Sequence, residues 1–257
     1  MQLPLQHAIT KTLTAAECNA QMELPLQSLV REIIDAATAH ANALSIGYSN
    51  LIAQGKAWVL SRLAIEMNRM PAVGTTYTMT TWVESFNRHF SQRDFAITDS
   101  AGATLGHART VWIAIDIATR RPADMSSLAN LAAAVNTALS CPMEPLKRLR
   151  PETAYDSSTP YTVQVSDLDS NRHLTTARYV ELAVNCLPLE AYDKAFPARF
   201  ETAFMKECLF GECLAVDSTA EPVDNAPGAT SLKVAVRTPD GSPAALSTMI
   251  LSPRGDI

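Results

Sequence analysis

One pattern occurs twice in this chain: an apolar helical stripe followed by about four segments of strand-like alternation. In the first copy Leu26, Leu29, Val30, Ile33, Ile34 and Ala37 recur at i, i+3, i+4, i+7, i+8 and i+11. In the second, Val180, Ala183, Val184 and Leu187 form one stripe, flanked by the further apolar residues Tyr179, Leu182 and Cys186. A helix apolar around so much of its circumference has to be buried. The strand signals have period two. Thr76, Thr78 and Thr80 alternate with Tyr77 and Met79, and Leu232, Val234 and Val236 with Lys233 and Ala235. Leu105, Val111, Ile113, Ile115 and Ile117 share one parity, as do Tyr161, Val163 and Val165. Turn residues punctuate these runs at Pro71 and Gly74, at Ser100-Ala101-Gly102 and at Pro239-Asp240-Gly241. Strand, buried helix, strands, then the same again, predicts two α+β units. Residues 120–160 lie between them, rich in proline and small residues. They read as an ordered linker with a helix around 126–138 and the basic run Lys147-Arg148-Leu149-Arg150.

Composition narrows the function classes. A chain of 257 residues with 47% apolar and 18% charged residues can bury a sizeable core. A net charge of −5 argues against wholesale binding to nucleic acid or to an anionic membrane. No apolar run approaches the ~18 residues that cross a bilayer. The start, Met1-Gln2-Leu3-Pro4-Leu5-Gln6-His7, lacks the charged and apolar regions of a signal peptide. The five cysteines, Cys18, Cys141, Cys186, Cys208 and Cys213, are odd in number and include no CxxC. Neither a disulfide framework nor a zinc site is expected, and a reduced, cytoplasmic setting is.

The residues before the second stripe carry the chemistry. Asp169, Asn171 and His173 stand at i, i+2 and i+4 immediately ahead of a buried helix. A helix start presents unpaired N–H groups and a positive dipole end, which can polarise a carbonyl and hold an oxyanion. Removing one such donor costs about 10²–10³ in rate. An imidazole and an amide beside it can shuttle a proton or add hydrogen bonds. The same spacing also fits an Asx-turn that starts the helix, with His173 a solvated loop residue. A degraded copy precedes the first stripe, where Glu17, Asn19 and Gln21 pair with Asp169, Asn171 and His173. Similarly, Ile65-Glu66-Met67 pairs with Lys206-Glu207-Cys208. Gln21 cannot exchange a proton as His can, so no turnover is expected there.

The chain resembles the acyl-ACP thioesterases of plants and bacteria over nearly its whole length. The resemblance rests on the run Trp58-Val59-Leu60-Ser61-Arg62-Leu63-Ala64-Ile65-Glu66, on Glu84-Ser85-Phe86-Asn87-Arg88, Arg93-Asp94-Phe95 and Thr119-Arg120-Arg121-Pro122. In the second half it rests on the D-x-D-x-N-x-H…Y pattern of 167–179 and on Lys206-Glu207-Cys208. Thr175 and Thr176 stand where the family usually carries Asn, and Thr still caps a helix. The resemblance implies a double hotdog, each antiparallel sheet wrapping a long buried helix. The implied parts are an acyl-chain half at 1–122, a linker at 123–158 and a catalytic half at 159–257. It also implies hydrolysis of the fatty acyl thioester of acyl carrier protein, with no cofactor and no metal, by Asp169, Asn171, His173 and Glu207.

In that scheme Glu207 activates water, His173 and Asn171 position water or thioester, and Asp169 orients the cluster; Asp169 remains an alternative base. A carboxylate base needs burial to raise its pKa, which an apolar strand around Glu207 would supply. Cys208 with His173 as base is a rival, covalent scheme. Trp58, Leu60, Met67, Met79 and Trp82 are candidates to line the acyl tunnel or simply to fill the core. Arg172, Arg178, Lys147, Arg148 and Arg150 are candidate contacts for an acidic carrier protein. The same architecture also serves acyl-CoA thioesterases and non-catalytic acyl binders, and assembly as a homodimer is compatible with it.

Overall fold

The first stripe forms α1 (Leu26–Ala43) in the computed structural model, which describes residues 3–126 and 128–255. Met1 and Gln2 of the segment read for a leader, and Ser127 of the predicted linker helix, lie outside the described residues. Leu26, Leu29, Val30, Ile33 and Ala37 are buried, as the helical period requires, and Ile34 is half-buried. Glu32 and His40 share the buried face, which apolar spacing does not reveal. Both have partners, as buried polar groups must. Tyr77 Oη donates to Glu32 at 2.7 Å and Lys11 Nζ at 2.9 Å. Arg93 Nη1 meets His40 Nδ1 at 2.7 Å, and His40 Nε2 meets the Pro4 carbonyl at 2.9 Å. Arginine can only donate, so Nδ1 accepts, Nε2 carries the proton and the ring is neutral. Burial, joined by the Arg93 charge, pushes its pKa down to about 4.

The second stripe forms a shorter helix, α4 (Thr176–Val184), in which Ala177, Tyr179, Val180, Leu182 and Ala183 are buried. The apolar spacing continues to Leu187, but the helix does not. Pro188 disfavours helical backbone at the residue before it, and a separate helix, α5 (Leu189–Lys194), follows.

Two compact units emerge, one of Met1–Ala16 with Glu32–Leu146, the other of Glu17–Arg31 with Lys147–Ile257. The first holds β1 (Gln6–Thr12), α2 (Tyr48–Ile52), β2 (Lys56–Met67), β3 (Thr76–Phe86), β4 (Ser91–Asp99) and β5 (Thr104–Asp116). Its strands are antiparallel in the order β1-β3-β4-β5-β2. The second holds β6 (Ser157–Thr162), β7 (Ala195–Phe204), β8 (Cys213–Pro222), β9 (Thr230–Arg237) and β10 (Pro243–Pro253), antiparallel in the order β7-β10-β9-β8-β6. In the first unit α1 meets its sheet through Glu32 on Tyr77 of β3 and His40 on Arg93 of β4. In the second, Tyr179 of α4 packs edge-on against Phe204 of β7 at 5.7 Å. Each unit is therefore a helix laid on an antiparallel sheet, the α+β hotdog arrangement. No helix among the described residues is long and apolar enough to cross a membrane.

The alternation predicted for β3 holds, with Tyr77, Met79, Thr81 and Val83 buried. Trp82 has the opposite parity, and it pairs with Asp94 rather than facing α1. Met79 and Trp82 therefore stand on opposite faces and cannot line one tunnel together. In β5 the single parity fails: Ala108, Arg109, Thr110 and Val111 are all buried, whereas Ile113 and Ile115 are half-buried. Both faces are covered there. Arg109 forms a buried pair with Asp94 at 2.8 Å and donates to the Met143 carbonyl of the linker at 3.0 Å. A bulge in the pairing of β2 between Leu60 and Arg62 adds local twist opposite Val111 and Trp112. The alternation read through Val165 also stops early, since β6 ends at Thr162 and Val165 is exposed.

The linker helix expected over 126–138 shrinks to α3 (Ala129–Ala133). Asp124 accepts from Ser126 N and Asn136 from Ala138 N, so Asx-turns bound it on both sides. Met125, Leu128, Leu131 and Ala134 are nevertheless buried, packed with Leu44, Ile46, Leu51, Val83 and Ala114.

Candidate active site

The loop ahead of α4 is built around one carboxylate. Asp169 Oδ1 accepts from the backbone N–H of Asn171 (2.8 Å) and of His173 (3.0 Å), and Asp169 N donates to the His173 carbonyl (2.8 Å). The chain turns back at Arg172, which adopts φ 66°, a left-handed conformation uncommon for a side-chain-bearing residue. Thr175 then caps α4, its Oγ1 accepting from Arg178 N at 3.2 Å. The Asx-turn reading is thus correct for the backbone, but His173 is half-buried rather than solvated.

Asp167 locks this loop from beneath. It is buried, and its carboxylate accepts from Tyr161 Oη (2.6 Å), Gln164 N (2.8 Å) and Arg178 Nε (2.8 Å). Its carbonyl accepts from Thr175 N at 2.8 Å. Residue spacing alone gives Asp167 no role within the motif; two acids two residues apart before a helix are the signal for it. Arg178 was a candidate carrier contact, but its guanidinium is held by Asp167 and by Glu181. Arg172, Lys147, Arg148 and Arg150 are exposed.

Glu207 reaches the loop from the segment after β7. Its carboxylate Oε2 lies 3.3 Å from His173 Nε2, with side-chain exposures of 40% for Glu207 and 26% for His173. Expected burial in an apolar strand is therefore absent: β7 ends at Phe204 and Glu207 is exposed on a loop. That loop is tied on every side. Met205 N and Lys206 N donate to the Ala244 carbonyl, and Leu174 N donates to the Cys208 carbonyl at 2.8 Å. Leu209 bridges to His173 and takes Glu212 Oε2 on its N–H at 3.0 Å. Tyr179 Oη, from the buried face of α4, donates to the Lys206 carbonyl at 3.3 Å. Cys208 is buried, and burial pushes its thiol up despite a hydrogen bond with Tyr179 that acts the other way. A protonated, enclosed thiol is the wrong species for attack on a thioester, which counts against the covalent scheme.

Backbone geometry corrects the register of the internal repeat. Asn19 Oδ1 accepts from Gln21 N (3.1 Å) and Glu23 N (2.9 Å), Asn19 N donates to the Glu23 carbonyl (2.8 Å), and Met22 has φ 59°. Asp169 is therefore matched by Asn19, Asn171 by Gln21 and His173 by Glu23, not by Glu17, Asn19 and Gln21. Gly74 and Gly211, both at positive φ, donate to the carbonyls of Leu13 and Val163. Asn68 N and Met205 N begin the same segments by donating to Leu105 and Ala244. This register matches Glu207 with buried Met70, not with Glu66. Glu23 is held by Arg254, whose Nη2 donates at 2.9 Å, and Gln21 Nε2 donates to Asp193 at 2.8 Å.

Two hotdog units, one of them holding a histidine against a carboxylate beside a helix start, define a double-hotdog protein with a single candidate centre. The acyl-ACP thioesterase N-terminal domain matches residues 9–128 and the acyl-ACP thioesterase C-terminal domain matches 151–244. The chain belongs to the acyl-ACP thioesterase family. It superposes on the structure of an acyl-ACP thioesterase from Bacteroides thetaiotaomicron with TM-score 0.85 and 28% identity, covering 96% of this chain and 98% of that one. A 12:0-ACP thioesterase from Umbellularia californica has the same fold, with TM-score 0.85 at 18% identity, over 97% and 95% of the two chains. An acyl-[acyl-carrier-protein] hydrolase of Cuphea viscosissima is 26% identical over 156 residues, which is 59% of this chain but 38% of that protein's length. The chain thus spans well under half the length of that curated relative.

Proposed function

We propose that this protein hydrolyses the thioester of fatty acyl-acyl carrier protein, releasing a free fatty acid and holo-carrier protein. The observation that carries the reading is the His173–Glu207 pair at 3.3 Å, set beside the loop that Asp169 organises. Glu207 serves as general base: it takes a proton from water as the water oxygen bonds the thioester carbon. The oxyanion so formed is held by hydrogen bonds from the α4 start and from Asn171. The C–S bond then breaks and the thiolate takes up the proton through His173. Assigning Glu207 rather than Asp169 as base is supported by the engagement of both Asp169 oxygens in the turn, Oδ1 by two backbone N–H groups and Oδ2 by Asn171 Nδ2 at 3.4 Å. An oxygen already accepting two hydrogen bonds is poorly placed to abstract a proton.

The proposal includes a chain-binding part at 1–122 joined through 123–158 to a catalytic part at 159–257. It also includes a role in fatty acid biosynthesis and a cytoplasmic setting, for which the five free cysteines are the support. Thiol release from acyl-carrier proteins and acyl-CoAs of several chain lengths tests it. Turnover on carrier-bound chains is expected to exceed that on CoA. No release from any thioester would leave an acyl-binding protein, and faster turnover on every CoA ester would shift the assignment to that substrate.

A further inference from the structure

We propose that the loop 205–210, which carries Glu207, is also the surface that receives the carrier protein; this rests on the hydrolase reading above. The loop presents three large apolar side chains to solvent: Met205 at 50% exposure, Leu209 at 45% and Phe210 at 61%. They stand within three residues of Glu207, on the one loop that also bridges to His173. Their exposure does not come from a loose segment. Ala244, Leu174, Glu212 and Tyr179 all fix its backbone by hydrogen bonds. A rigid loop that holds large apolar groups in water is the usual mark of a contact surface, because ordered apolar patches gain free energy only when covered.

Two features fit a carrier protein rather than the nucleotide of CoA. Met205, Leu209 and Phe210 offer large apolar side chains, which suit a protein face and not a phosphorylated nucleoside. Arg172 lies at its edge, exposed, on the same turn as His173, and makes no ion pair among the described residues. In a chain of net charge −5, an exposed cation beside the centre complements an acidic partner. Whatever carries the acyl chain must bring its thioester to His173 and Glu207, so its protein body must dock within one pantetheine arm's reach of that pair, and loop 205–210 lies within that reach.

The test compares the parent with a Met205→Ser, Phe210→Ser double variant on matched acyl-carrier protein and acyl-pantetheine substrates. KM for acyl-carrier protein should rise at least tenfold with kcat nearly unchanged, and acyl-pantetheine hydrolysis should stay within twofold of the parent. An unchanged KM for the carrier substrate overturns the proposal, and so does an equal loss on both substrates, which would mean the loop only shapes the centre. Calorimetric titration with holo-carrier protein tests the surface without turnover: at least tenfold weaker binding to the variant supports it, and equal binding overturns it. If the parent releases no thiol from any thioester, the hydrolase reading fails while this titration still decides the surface. A parent that sediments as a dimer and a variant that sediments as a monomer would make the patch an interface between copies and overturn the proposal.

Discussion

The loops 19–23 and 169–173 have one backbone and two chemistries. In each, a side-chain oxygen at the first position accepts from two N–H groups, and a left-handed residue at the fourth turns the chain. Asn19 and Asp169 perform that task equally well, because only one acceptor oxygen is required. What differs is the fifth position and the residue at the place of Glu207. His173 and Glu207 make an exchangeable pair; Glu23 is neutralised by Arg254, and Met70 cannot move a proton. The two loops share the turn because the turn serves folding. Chemistry is a separable layer carried by two side chains.

The largest effect should come from making the second loop resemble the first at its facing position. Glu207→Met should lower kcat for thioester hydrolysis by about 10²–10⁴, the usual range for losing a general base. Steady-state thiol release measures it, and near-parental turnover would remove Glu207 from the mechanism. Asp169→Asn copies the first loop where only the turn is at stake. It should keep the fold and cost about tenfold or less in kcat, because Asn supplies the same acceptor oxygen. A loss as large as that of Glu207→Met would instead make Asp169 the base.

Moving the other way, Glu23→His should create no second centre, since the residue in register with Glu207 is Met70, which has no proton to exchange. It should lower stability by about 1–2 kcal/mol through loss of the charge-assisted contact with Arg254. Urea denaturation reads the change, and an unaltered midpoint would show that the ion pair contributes nothing.

The smallest effect distinguishes the two helices, α1 with its buried His40 and α4 without one. The His40 pKa is about 4 in the folded chain against 6.5 unfolded. Between these values the unfolded chain binds a proton that the folded chain refuses, so the contribution of His40 to stability falls as pH drops from 6.5 toward 4. Asp94 has the opposite sign. Burial pushes its pKa up to about 6 against the restraint of Arg109, so the folded chain takes up its proton first and gains stability as pH falls below 6. The stability difference between the parent and His40→Gln should therefore narrow from pH 7 to pH 4.5. A difference that is constant with pH would show that His40 is not held neutral.

Much of this organisation was legible in residue order. The stripe of α1 and the alternation of β3 follow from burial on one face, a one-dimensional signal with a fixed period. The motif 167–173 and its placement before a helix were equally plain, since caps and turns are local. Less legible were features that depend on what lies across the chain. Pro188 shortened α4, and Arg109 with Asp94 filled the second face of β5 where a single parity was expected. Trp82 and Met79 separated because neighbouring residues of a strand point to opposite faces.

Two helix-and-sheet units, and a histidine immediately before the second helix but not the first, follow from residue order alone, because periodicity and residue type are local properties. Chain packing sets the rest: Glu207 is an exposed loop residue touching His173, and Arg178 belongs to Asp167 rather than to a partner. It alone decided that the true counterparts of His173 and Glu207 are Glu23 and Met70. These are matters of which backbone N–H meets which oxygen across distant segments, and register between segments is set by packing and hydrogen bonding, not by spacing along the chain.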